Sequence, residues 1–150
     1  IEIKHAGLFP AGCRALVGGV AEVVARADAG HRVLISSFSP GAVWGWRKLR
    51  TDVPSGLLFE RPRPFHRPWP VRTDSLLPVL RPFAVHPENT LCTHERVAGW
   101  RRRGYAVNVW TVDAPERITA LAAMGVNGII TNDPAGARSV LTLTRRSAGG

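Results

Sequence analysis

GYAVNVWTVDAPERITALAAMGVNGIITNDP, residues 104–134, is the stretch that decides the fold. Ala106 to Val112 is rich in β-branched and aromatic residues and lies between Gly104 and Asp113, as a strand between turn residues does. Asp113, Pro115 and Glu116 read as a helix start, with Asp113 as the N-cap and Pro115 in the first turn. Ile118, Leu121 and Ala122 recur at helical spacing, and Gly125 is the stop. Val126 to Thr131 is a short apolar run, expected as a strand buried on both faces. Asp133 and Pro134 then start another helix. Strand, helix, strand in this order makes a βαβ unit, with parallel strands and a right-handed crossover.

Outward from this unit the same grammar recurs. A strand followed by Ser or Asp with Pro and then a helix is read at residues 33–50, 106–124 and 126–143. Strand starts near 33, 56, 83, 106 and 126 have the spacing of a βα barrel. A doubly wound sheet shares that spacing, but no GxGxxG or GKS/T cradle for a nucleotide is present. Ile1 to Lys4 alternates apolar and charged residues. As a strand it puts Ile1 and Ile3 toward a helix layer and Glu2 and Lys4 on the other face. A helix is expected over Cys13 to Ala29, with Leu16, Val17, Val20, Val23, Val24 and Ala27 as its apolar stripe and Gly30 as its end. Gly18-Gly19 falls inside that helical pattern, so a phosphate-binding glycine loop is a poor reading. Ser39-Pro40 starts a helix reaching about Arg50, with Trp44 and Trp46 expected in core or interface. Residues 60–72 hold Pro62, Pro64, Pro68 and Pro70, which dictates an extended loop. Asp74 to Leu80 is a short helix. Thr93 to Arg103 is a longer one, with Val97 and Trp100 inward and His94 exposed.

Composition excludes some classes of function. Twenty Lys and Arg against eleven Asp and Glu give a formal charge of +9. The basic residues are scattered, apart from Arg101-Arg102-Arg103 and Arg145-Arg146, and aromatic residues are not interleaved with them. Runs of this kind fit solvated helix ends, and nucleic-acid binding is not expected. Cys13 and Cys92 have neither disulfide-framework nor metal spacing, and two buried thiols are expected. No run of about 18 apolar residues exists, so no transmembrane segment is expected. The sequence does not name the compartment, and a cytoplasmic location is only weakly favoured.

Several side chains stand where chemistry could be done. Glu2 and Lys4 are costly on a buried face unless they are paired or bound to a metal or anion; a strand with a solvent-facing polar side explains the pattern equally well. Ser36, Ser37 and Phe38 lie at the end of the strand 33–38, where barrel active sites are built. No Asp and His are placed to activate Ser37, so packing or hydrogen bonding is its expected role. Arg61, Arg63, His66, Arg67 and Trp69 either line the mouth of a site or decorate a surface loop. His86 is expected at the rim, at the end of strand 83–86. Asn108 and Trp110 share one face of strand 106–112, where either a pocket or plain packing explains them.

VNVWTVD at 107–113 and GVNGIITNDP at 125–134 resemble the last two strands of the glycerophosphodiester phosphodiesterase family, whose usual wording is V-WTVN and then GVDGIITD-P. IEIK at 1–4 is similar to that family's NIEIK strand, and VLISSF at 33–38 to its fourth strand. Ordered matches run from residue 1 to about 137. The resemblance implies a phospholipase C-like TIM barrel of the α/β class. Residues 1–4, 33–38, 56–59, 83–86, 106–112 and 126–131 would be its strands three to eight, in one partial domain over 1–150. About six βα units are then present and the first two strands are missing. A complete barrel takes ~250 residues, and the chain opens on Ile1 inside a strand, so a fragment is expected.

The resemblance implies hydrolysis of a glycerophosphodiester to an alcohol and sn-glycerol 3-phosphate through a cyclic phosphate. A divalent metal, Ca or Mg, would hold the phosphate, and two His would act as acid and base. It gives Glu2 as a metal ligand, Lys4 as a phosphate contact and Trp110 as a pocket wall; Ser36, Phe38, His86 and Asn108 are further pocket candidates. The family's first-strand His, its Glu-x-Asp pair and its second His precede IEIK, so the chain alone is expected to be inactive and to self-associate through open edges. Where the family has Asp, this chain has Asn127 and Asn132. The alternative is a non-catalytic barrel remnant that binds a partner or a phosphate ligand.

Overall fold

A computed structural model describes residues 1–4, 13–50, 52–61 and 73–148, without the side chains of Thr73 and residues 144–148. The chain falls into two compact units, Ile1–His86 and Pro87–Gly150.

The first unit holds α1 (Arg14–Arg26), β1 (Ile35–Ser37), α2 (Pro40–Leu49), β2 (Ser55–Phe59), α3 (Leu77–Leu80) and most of β3 (Ala84–Pro87). Its strands follow in the spatial order β1-β2-β3. β1 and β2 are parallel, with Ile35 opposite Ser55, Ser36 opposite Gly56 and Ser37 opposite Leu57. Residues 1–4 run along β1: the Ile3 amide donates to the Ser36 carbonyl at 2.8 Å and the Ser36 amide to Ile1 at 2.9 Å. Ser39 caps α2 by accepting from the Ala42 amide, with Pro40 in the first turn as expected. The core gathers Ile3, Val17, Ala21, Val24, Ile35, Trp46 and Val53. Trp46 is fully buried, and its indole N–H donates to the Val53 carbonyl at 3.1 Å. A large apolar side chain is thus buried with its one polar group satisfied.

The stripe of α1 is narrower than the sequence suggested. Val17, Ala21 and Val24, at i, i+4 and i+7, are buried, whereas Leu16 and Val23 are 44% and 54% exposed. One face of α1 packs against α2, and a single contact of that kind covers only about 100° of a helix. Ala27 is exposed as the C-cap. Ile1 is 54% exposed, so only Ile3 reaches the helix layer.

The second unit holds Pro87 of β3, then α4 (His94–Arg102), β4 (Ala106–Val109), α5 (Pro115–Ala123), β5 (Gly128–Ile129) and α6 (Pro134–Ala148). β4 and β5 are parallel, with Asn108 opposite Gly128 and Val109 opposite Ile129. Thr93 caps α4, Val97 and Trp100 are buried, and His94 is exposed. Gly104 and Gly125 stop α4 and α5 with φ of +83° and +77°, backbone that favours glycine. Ile118 and Leu121 are buried on α5, which packs against α6.

Two expectations fail here. The N-cap of α5 is Ala114, without a side-chain bond, because the Asp113 carboxylate is occupied elsewhere. The last strand is not buried on both faces: only Gly128 and Ile129 form ladder, both half-buried, and Ile130 is 44% exposed. Its short apolar run is followed at once by the polar turn Thr131-Asn132-Asp133, which leaves the ladder to start α6. No described helix is long and apolar enough to cross a membrane.

Candidate active site

In the first unit the strand pairing lines up one face. Glu2 is bridged in parallel to Ser36, and Ser36 stands opposite Gly56. Paired residues in a ladder project to the same side, so Glu2, Ser36 and Gly56 form a row. Glu2 and Lys4 are exposed and Ser36 and Phe38 half-buried. Ile3, between the two charged residues, is 2% exposed, so the alternation expected of residues 1–4 holds at its centre.

His86 completes this face, though not at a rim. It is 3% exposed, with its ring laid across Gly56. A Cβ on Gly56 would lie 2.5 Å from His86 Nε2 and 2.8 and 2.9 Å from Cε1 and Cδ2. Glycine is therefore the residue that admits the imidazole. Burial first, and the Ile1 ammonium second, push the His86 pKa down to about 4, so the ring is neutral at pH 7. Ser37 points the other way. Its hydroxyl donates to the Ile3 carbonyl at 2.6 Å and accepts from the Ser39 amide at 3.0 Å, the structural role expected of it.

In the second unit Trp110 is bridged in parallel to Glu88. The Trp110 amide donates to the Pro87 carbonyl at 3.2 Å, and the Asn89 amide donates to Trp110 at 2.7 Å. Asn108 and Trp110 are half-buried on one face, while Val107 and Val109 are buried on the other. The Asn108 carboxamide lies over Gly128, whose Cβ would sit 2.6 Å from Asn108 Oδ1. Asn127 Oδ1 accepts from the Val107 amide at 2.9 Å, so this Asn has a structural place at the start of β4.

The turns beyond these strands are tied down. Arg117 of α5 reaches the Asn89 side chain, and its Nη2 donates to the Asn89 and Cys92 carbonyls at 2.9 and 2.8 Å. Asp113 accepts from the Thr131 hydroxyl, the Asn132 amide N–H and the Asn132 carboxamide, each at 2.8 Å. The Asn132 backbone N–H, then the Thr131 hydroxyl and the Asn132 side chain, hold the Asp113 carboxyl below its usual range. Asp133 caps α6 through the Gly136 amide at 2.9 Å. Cys13 and Cys92 are buried and in no disulfide, and burial pushes the Cys92 thiol up to about 11, which makes it a poor nucleophile at neutral pH.

Among the described residues no three His, Cys, Asp or Glu side chains come together as a metal site. Glu2 is one carboxylate, whereas Ca or Mg takes six or more oxygen ligands; the described residues do not build such a site on their own. Of the loop candidates, Arg61 is exposed, and Arg63, His66, Arg67 and Trp69 lie outside the described residues. Sequence reasoning missed Gly56, Glu88, Arg117 and the Asp113–Asn132 contact. Only Gly56 left a signal, as a glycine inside a strand.

The sequence pattern of the glycerophosphoryl diester phosphodiesterase family matches residues 12–136. A glycerophosphodiester phosphodiesterase of Caldanaerobacter subterraneus subsp. tengcongensis is 29% identical over 116 residues, 77% of this chain and 44% of that protein. A candidate glycerophosphoryl diester phosphodiesterase of Silicibacter pomeroyi superposes with a TM-score of 0.82 at 26% identity, over 96% of this chain and 50% of that one. A phosphodiesterase of Oleispira antarctica, solved with the product sn-glycerol 3-phosphate, superposes at 0.73 with 17% identity, over 94% and 53%. The chain thus spans about half the length of these relatives. Their likeness assigns it the α/β-barrel class, over the part of a barrel that it spans.

Proposed function

Because the chain belongs to the glycerophosphoryl diester phosphodiesterase family, we propose that it is part of an enzyme that hydrolyses a glycerophosphodiester to an alcohol and sn-glycerol 3-phosphate. Glu2 serves there as one ligand of a divalent cation, Lys4 as a contact to the phosphate, and Trp110 as a wall of the pocket. The observation that carries this reading is the family match over residues 12–136. The exposed Glu2 on the Ser36 and Gly56 row supports it.

A phosphodiester anion repels nucleophiles, so the reaction needs positive charge at the phosphate. The Lys4 ammonium supplies one such charge. A bound divalent cation, when its remaining ligands are provided, adds Lewis-acid polarisation. Trp110 offers a flat apolar surface that orients the substrate and displaces water. Nothing in residues 1–150 is assigned as the acid and base, so the chain alone is expected not to turn over substrate.

Calorimetric titration with sn-glycerol 3-phosphate in the presence of Ca or Mg tests the proposal. Lys4→Ala and Glu2→Gln are each expected to weaken binding about tenfold, which is ~1.4 kcal/mol. Binding that neither substitution alters refutes the roles of both residues. Metal-dependent release of glycerol 3-phosphate by the 150-residue chain refutes its inactivity. The charge of +9 favours one second reading, a barrel remnant that holds a phosphate ligand without catalysis. Metal-independent binding of inorganic phosphate, as tight as that of glycerol 3-phosphate, would select it.

A further inference from the structure

The exit of β4 carries an irregularity. The Ile130 amide donates to the Val109 carbonyl at 2.8 Å, and the Ile130 carbonyl accepts from the Val112 amide at 3.0 Å. A regular parallel ladder would return to the second residue after Val109, not the third. One residue is therefore extra between the two bonds, and Trp110 stands in this bulge. Bulges re-aim side chains beside active sites. On its other side the Trp110 backbone is fixed to Pro87 and Asn89. What closes the bulge is Asp113, three residues on, gripping Thr131 and Asn132 by its three hydrogen bonds.

We propose that Asp113 and Asn132 form a carboxylate–amide lock that holds the bulge presenting Trp110, and that its negative charge can sit on either residue. The geometry permits the exchange. With Asn at 113 and Asp at 132, Oδ1 of residue 113 still accepts from the Thr131 hydroxyl and the residue 132 amide. Its Nδ2 then donates to the new carboxylate, so all three bonds survive. Asn132→Asp alone is different, because it sets two carboxylates at hydrogen-bond distance. Asp113→Asn alone is mild, since the Asn132 carboxamide can turn to present its oxygen. Asp113 and Asn132 are positioning residues, and the use of Trp110 in binding rests on the phosphodiesterase reading.

The test is the indole N–H resonance of Trp110 in the 15N-labelled 150-residue chain, assigned by its loss in Trp110→Phe, together with the urea midpoint. Asn132→Asp is expected to displace or broaden that resonance and lower the midpoint. Asp113→Asn/Asn132→Asp is expected to return both to their original values, and Asp113→Asn to leave the resonance near its place. A double variant as disturbed as Asn132→Asp overturns the lock, as does an undisturbed Asn132→Asp. Should Asn132→Asp fail to fold, the double variant still decides: it must fold with the original Trp110 resonance. Titration with sn-glycerol 3-phosphate is a separate arm. A Trp110 resonance that ignores the ligand counts against the phosphodiesterase reading and leaves the lock standing.

Discussion

A strand position without a side chain can be as informative as one with a charge. Gly56 gives the His86 ring its space, and a methyl group there meets three ring atoms within 2.9 Å. Gly56→Ala is expected to lower stability by roughly 1–3 kcal/mol, as overpacking does, measured by urea unfolding. In a His86→Ala background the same change should cost much less, because the two residues share one space. The burial of His86 also sets a pH dependence. Its folded pKa, about 4, lies below the unfolded 6.5, so the unfolded chain binds the proton more readily. Stability is full above about 6.5 and falls as the pH drops toward 4, by roughly 2 kcal/mol between pH 7 and pH 5. His86→Gln, which takes no proton, is expected to flatten that dependence; an unchanged slope would place its origin elsewhere.

α5 does more than separate two strands, since Arg117 on its first turns anchors the turn after β3. Arg117→Ala removes bonds to the Asn89 side chain and to the Asn89 and Cys92 carbonyls, at an expected cost of about 2 kcal/mol. Hydrogen exchange at residues 91–93 should quicken more than exchange within β4. Arg117→Lys should not restore it, because one ammonium cannot span the acceptors that a fork-shaped guanidinium does. The sequence made the elements themselves legible where local chemistry is decisive. Ser39-Pro40, Gly104 and Gly125 mark helix ends, and the β-branched and aromatic residues from Val107 to Val112 mark β4. Contacts between elements were not legible. The spacing of Asp113 and Pro115 promised an N-cap, yet the carboxylate follows stronger partners eighteen and nineteen residues on. His86 looked like a rim residue because a strand end is one, and only the missing side chain at Gly56, on the adjacent strand, draws the ring inward.

Across the molecule, charge and edges set the behaviour in solution. With +9 on 150 residues, the chain repels its own copies at low salt, and screening removes that protection. Among the described residues β5 stands last in the strand order, and Ile130 beside it is 44% exposed. Unpaired strand edges with apolar neighbours associate. Sedimentation velocity is therefore expected to show concentration-dependent self-association that grows with salt. Ile130→Lys should suppress it; an unaltered profile would exclude this edge. The likeness to larger phosphodiesterases was legible from the stretches at 1–4, 33–38 and 107–134, whereas the inward turn of His86 and the grip of Asp113 depend on residues far apart in the sequence. The two thiols have a practical consequence. Cys13 lies in the first unit and Cys92 in the second, at 1% and 3% exposure, so a thiol-exchange reagent can reach each only when its own half opens. Labelling kinetics of Cys13→Ala and Cys92→Ala would then clock the breathing of the two halves separately, and equal rates would mean that they open as one.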